Sequence, residues 1–322
     1  MTFSSQPLSP PVQRIDFEGT QPASGSLDVS WIHGSVSPKH NDDPDIQVHA
    51  YNEHTYILRQ NMAVHYEAPF MFLLFGNERA ILLDTGATRS QDYFPLRQTV
   101  DALIERWLSR HPRADYRLVV AHTHLHRDHF EGNSQFLDRP HTTMVGRSLE
   151  DTIAFYGFSQ WPTERVSFDL GGRQLQIMGS PGHEDVEVSI YDPYTQILFT
   201  GDIFYPGRLY IRDWDAFASS IARLIEFTEA HPITHILGCH VEMSIYPRID
   251  YLIRTSYQPH ERPPQMTVAQ LRDLGSAIAA VNGRPGIYPF DAFILYNGVP
   301  DRYFSYEAMN PEVEPGTVGY LD

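Results

Sequence analysis

The chain has 322 residues, 42% of them apolar and 12% aromatic, which suits a globular protein with a full core and excludes a disordered one. Its formal charge of −16 repels phosphate backbones and counts against a nucleic-acid partner. The single cysteine, Cys239, excludes an intrachain disulfide. No apolar run reaches the roughly eighteen residues of a helical membrane span, and the opening MTFSSQPLSPPVQ lacks the basic and apolar regions of a secretory signal, so the expected location is cytoplasmic.

Residues 1–50 are rich in Pro, Ser, Gly and Asp and read as an extended N-terminal arm. Three short strands follow at TYILRQ, PFMFLLFG and RAILLDT, with residues 61–68 as a loop or flap between the first two. Leu96, Val100, Leu103, Ile104 and Trp107 recur at helical spacing and predict a helix over 96–109. DYRLVVAHT reads as a buried strand, and a helix is expected near 149–156. Strands recur at ERVSFDL, RQLQIMG, VSIYD and QILFT. Asp213 or Asp215 is placed to cap a further helix bearing Phe217, Ile221, Leu224 and Ile225 on one face. THILGC is another short strand, and the last eighty residues hold a helix at 268–281 and a strand at DAFILY. This order predicts a layered α/β protein, read as a single domain over 51–322 with a C-terminal extension from about 241. That extension has three open roles: covering the pocket, making a homodimer contact, or buttressing the sheet.

The chemistry concentrates after DYRLVVAHT. His124, His126, Asp128 and His129 form the pattern H-x-H-x-D-H within six positions. In an extended chain, side chains two apart point the same way, so His124 and His126 can reach one metal ion. Asp128 and His129 follow at a turn and can face a neighbouring position. Imidazole nitrogen and carboxylate oxygen suit zinc, iron or manganese. Three more candidates each follow a strand-like run: His183 after Gly182, Asp202 after Gly201, and His240 after Cys239. Strand ends gather along one rim of a sheet, so these loops can converge.

This ordered set resembles the metallo-β-lactamase superfamily, and LLDTGA at 82–87 is similar to that family's early Asp motif. The resemblance implies an αββα sandwich with two central sheets flanked by helices. It also implies a site for two divalent metal ions, zinc foremost, with iron or manganese as alternatives. His124, His126 and His183 would hold one ion, Asp128, His129 and His240 the other, and Asp202 would bridge them. Asp84 would order the ligand loops from behind, and His122 is not expected to bind metal. With Asp rather than Cys at the bridging position, the sequence looks closer to the glyoxalase II and lactonase branches than to cysteine-ligand β-lactamases.

The implied reaction is attack of a metal-bridging hydroxide on the carbonyl of a small lactone, ester or thioester, with Asp128 holding the nucleophile or moving its proton. Tyr205, three residues after Asp202, resembles a lactonase tyrosine whose hydroxyl assists the substrate carbonyl. Arg208 and Tyr210, and His65 and Tyr66 in the flap, are candidate substrate contacts. The rival readings are a β-lactam hydrolase, a phosphodiesterase and a non-catalytic binding protein; the complete ligand set speaks against the last.

Overall fold

Alternation along the strands decides the layers. The computed structural model describes residues 13–19 and 21–298. The first twelve residues of the expected arm, and residues 299–322 of the C-terminal extension, lie outside the described residues. Strands β1 (Ile46–Asn52), β2 (Thr55–Gln60), β3 (Phe70–Phe75), β4 (Arg79–Leu83), β5 (Arg117–Ala121) and β6 (Thr142–Met144) form one sheet in chain order. A second sheet has the order β13-β12-β10-β9-β8-β7. Its strands are β7 (Arg165–Asp169), β8 (Gln174–Gly179), β9 (Val188–Asp192), β10 (Ile197–Gly201), β12 (His235–Gly238) and β13 (Gln265–Met266).

Phe70, Phe72 and Leu74 of β3 face inward and meet Ile197 and Phe199 of β10 and Leu237 of β12 in a core between the sheets. The intervening Met71, Leu73 and Phe75 point the other way, onto helix α1 (Leu96–Arg110), which buries Leu96, Val100, Leu103, Ile104 and Trp107. On the second sheet, Leu198 and Ile236 turn outward onto helices α4 (Trp214–Ala230) and α5 (Val268–Val281). Period-two side-chain alternation thus makes two sheets packed on each other with helices outside, the expected αββα sandwich. The short helices α2 (Arg127–Phe130) and α3 (Leu149–Tyr156) lie in the connections after β5 and β6. Asp213 is the residue that caps α4, accepting Ala216 N–H at 3.0 Å, while Asp215 lies inside the first turn.

Five observed strands lie outside the expected elements, β1, β6 and β13 among them. The strand β1 crosses the expected arm boundary at residue 50. It is an edge strand that buries only Ile46 and Tyr51 and leaves Val48 and Ala50 exposed, so little of it reads as core. The described part of the arm is packed: Phe17 and Ile32 are buried, and the Ile32 N–H donates to Gln47 Oε1. Strand β11 (Arg208–Ile211) runs parallel to β15 (Ile294–Asn297), which pairs in turn with β14 (Gly286–Pro289), giving a third, three-stranded sheet. The end of the described chain is therefore stitched to the segment that follows Asp202. No helix among the described residues is long and apolar enough to cross a membrane.

Candidate metal centre

Direction of travel places the ligands. Strands β4 and β5 are parallel, as are β10 and β12, and β8 runs with β10 because both are antiparallel to β9. The chain therefore leaves all five strands at one rim. Asp84 follows β4, the histidine cluster follows β5, His183 follows β8, Asp202 follows β10 and His240 follows β12. Two glycines make the approach possible. Gly182 (φ +139°) passes so close to α4 that a Cβ would stand 2.4 Å from Phe217 Cα, and Gly201 adopts φ +55° just before Asp202.

The seven candidate ligands converge in two groups. His124, His126 and His183 form one; Asp128, His129, Asp202 and His240 form the other, and within each group the ligand atoms lie within 4.8 Å of one another. His126 Nδ1 is 3.1 Å from His124 Nε2 and 3.0 Å from His183 Nε2. His240 Nε2 is 3.0 Å from Asp128 Oδ2 and 3.3 Å from His129 Nε2. Asp202 Oδ2 stands between the groups, 3.8 Å from His124 and His183, 3.5 Å from His129 and 3.4 Å from His240.

These spacings fit cations better than hydrogen bonds. Donors around a tetrahedral zinc with bonds of about 2.0–2.1 Å stand about 3.3 Å apart, close to the separations inside each group. Three of the rings also spend their other nitrogen outside the centre. His183 Nδ1 lies 2.8 Å from Tyr210 O, His240 Nδ1 lies 3.0 Å from Glu67 O, and His129 Nδ1 lies 3.0 Å from Asp84 Oδ2. A ring that donates from Nδ1 presents the Nε2 lone pair inward. Asp202 Oδ1 is buried with no protein hydrogen-bond partner, as a second metal-facing oxygen would be.

Asp84 ties the loops together from beneath. It is fully buried and held at φ +67°. Its carboxylate accepts Thr123 N–H and Oγ1–H, both at 2.8 Å, and lies within reach of His129 Nδ1 and the Cys239 thiol. Burial, with Asp84 beside it, pushes that thiol well up, so Cys239 acts as a neutral donor. His122 contacts Asn133 and stays outside both groups.

The groups differ in charge. Burial holds His124, His126 and His183 below the usual imidazole range, His126 down to about 3. Burial also opposes charge on His129 and His240, but there the carboxylates of Asp128 and Asp202 prevail. They raise His129 well above its usual value and His240 to about 10. Burial would raise Asp128 and Asp202 as well, and the facing histidines instead hold both low. Two carboxylates in so dry a place demand positive charge, as protons or as a metal cation.

The cavity over the groups, about 200 Å³, is lined by His126, Asp128, His183, Asp202 and His240 together with Glu67, Tyr205, Tyr210, Ile211, Arg212, Glu242 and Tyr296. Of the flap residues, Glu67 lines it. His65 and Tyr66 do not, and they stack on each other at 4.8 Å as the chain turns at Ala68 (φ +42°) into β3. Burial and Asp128 raise the Glu67 carboxyl to about 7. Arg208 is not a cavity residue: it is buried in the wall, paired with Glu242 at 3.1 Å and Asp250 at 3.0 Å. Tyr205 lines the cavity, but its hydroxyl donates to Arg208 O at 2.6 Å. Tyr210 and Tyr296, their rings 5.2 Å apart, join β11 and β15 in one wall. Glu67, Arg212, Glu242 and Tyr296 carried no motif, and only the fold brings them to the cavity.

The sequence profile of the metallo-β-lactamase superfamily matches residues 67–240, a little over half the chain, and the chain belongs to that superfamily. It is 28% identical over 162 residues to a hydroxyacylglutathione hydrolase of Rhizobium meliloti, covering 48% of this chain and 60% of that protein. A hydroxyacylglutathione hydrolase of Brucella anthropi is 32% identical over 91 residues, 27% of this chain and 35% of its own. Human acyl-coenzyme A thioesterase MBLAC2 is 26% identical over 206 residues, covering 53% of this chain and 72% of that protein. The matches thus span 60% and 35% of the two bacterial relatives.

Proposed function

We propose that this chain is a metal-dependent hydrolase holding two divalent ions, zinc foremost, and cleaving a small lactone, ester or thioester. The observation that carries the reading is Asp202 Oδ2, within 3.4–3.8 Å of imidazole nitrogens from both groups. One carboxylate oxygen thereby joins His124, His126 and His183 to Asp128, His129 and His240. Cations bound there supply Lewis-acid polarisation of a carbonyl and a nucleophilic hydroxide near neutral pH.

The remaining steps belong to side chains. Asp128 lines the cavity, placed to hold the attacking water and to pass its proton toward the leaving group. Ile211, Tyr210 and Tyr296 offer an apolar and aromatic wall for the acyl part. Arg212 is exposed and is the arginine of the lining, suited to an anionic carrier. The names of the relatives, a hydroxyacylglutathione hydrolase and an acyl-coenzyme A thioesterase, favour the thioester among the candidate substrates. Tyr205 contributes to catalysis only if its hydroxyl leaves Arg208 O. The acidic charge supports an enzyme of small substrates rather than of nucleic acid, and the cytoplasm is its proposed location. Because Tyr296 lines the cavity, residues 51–298 are read as one functional unit.

The test is metal analysis of purified protein with an activity panel of lactones, thioesters, β-lactams and phosphodiesters. Two ions per chain and thioester or lactone turnover that disappears on chelation are expected. Turnover by metal-stripped protein, or preference for phosphodiesters or β-lactams, would overturn the assignment.

A further inference from the structure

Glu187 lies in the connection between β8 and β9, four residues past His183, and is fully buried. Its neighbours Val186 and Val188 are buried and apolar, so a carboxyl at this position is not a solvated loop residue. Glu187 Oε1 accepts the backbone N–H of Asp202 at 2.8 Å. The same oxygen lies under Gly201, where a Cβ would stand 2.9 Å from it and 3.0 Å from Thr123 Cβ. One side chain from the His183 loop therefore reaches beneath the Asp202 loop, beside the segment that enters the histidine cluster. An amide buried there without an acceptor would be costly. The other oxygen, Oε2, is buried without a protein partner, so filling space does not explain the residue; an apolar side chain would fill it at lower cost.

We propose that Glu187 is the positioning residue of Asp202, fixing the backbone that carries the carboxylate shared by both metal positions. This rests on the two-cation reading above. The role asks for an acceptor oxygen at that distance, not for a charge. A glutamine can meet it, whereas a methionine of similar length cannot.

The experiment compares wild type, Glu187→Gln and Glu187→Met by zinc titration and by amide hydrogen exchange of the metal-free chains. Glu187→Gln should bind two zinc ions within about threefold of wild type. Glu187→Met should lose roughly 10–100-fold in affinity at both positions, the range for loss of a supporting residue. In metal-free protein the Asp202 amide should exchange at least about tenfold faster in Glu187→Met, and as in wild type in Glu187→Gln. If Glu187→Met fails to fold, Glu187→Asp, which withdraws the acceptor by one methylene, replaces it with the same expectation. Equal affinities and equal Asp202 exchange in wild type and Glu187→Met would overturn the proposal, as would a Gln variant as impaired as Met. A wild type that binds neither zinc, iron nor manganese would sink the hydrolase reading instead, while the Asp202 amide would still report on Glu187.

Discussion

His124, His126 and His183 are three imidazoles that burial keeps neutral, whereas Asp128, His129 and His240 share a place where carboxylates hold protons on the rings. The first group offers lone pairs without losing anything. The second must give up protons before a cation can enter. Asp202 touches both, so the contrast between a neutral and a charge-rich position is built around a single shared oxygen.

The largest way to break the contrast is to remove what the groups share. Asp202→Ala should depress binding at both positions and lower turnover beyond the roughly 10–100-fold typical of a supporting residue. His126→Ala should spare the second position, and metal content per chain separates the two variants. Next comes Asp84→Ala, which unties Thr123, His129 and Cys239 and should weaken zinc affinity by roughly 10–100-fold, read by competition with a chelator.

The pH dependence sharpens the comparison further. His240, raised to about 10 in the metal-free chain, is protonated at neutral pH. Each unit that pH falls below that value should therefore cost the second position about tenfold in affinity per proton displaced. His126, held down to about 3, carries no proton at neutral pH, so affinity at the first position should stay flat from about pH 6 to 9. Equal pH slopes at both positions would remove the distinction. The smallest effect is expected of Tyr205→Phe. Its hydroxyl is bonded to Arg208 O, so kcat should fall by less than about tenfold, and a larger loss would show the hydroxyl acting on substrate.

The ligands were readable because their signal is local or ordinal. H-x-H-x-D-H is a six-residue pattern, and the later three follow strands whose apolar runs are plain. The layered α/β character followed for the same reason, and the two-sheet sandwich came from the family resemblance that those residues carry. The walls of the cavity were not readable. Arg208 reads in the sequence as a candidate substrate contact, but Glu242 and Asp250, residues 34 and 42 further along, pair with its guanidinium. Glu67 faces the cavity through a turn at Ala68 that no periodicity announces. Strand β1 buries two side chains in seven, too few to stand out from an irregular arm. Glu187 needed three loops assembled before its acceptor role could be seen.

The pairing of β11 with β15 bears on the order in which the chain emerges from the ribosome. Every candidate ligand has been synthesised by His240, while Tyr296 arrives 56 residues later. At about 5–20 residues per second, the nascent chain spends several seconds with its histidines made but the Tyr296 side of its aromatic wall still to come. During that interval an ion could be captured before the vessel around it closes, so loading need not pass through the finished mouth.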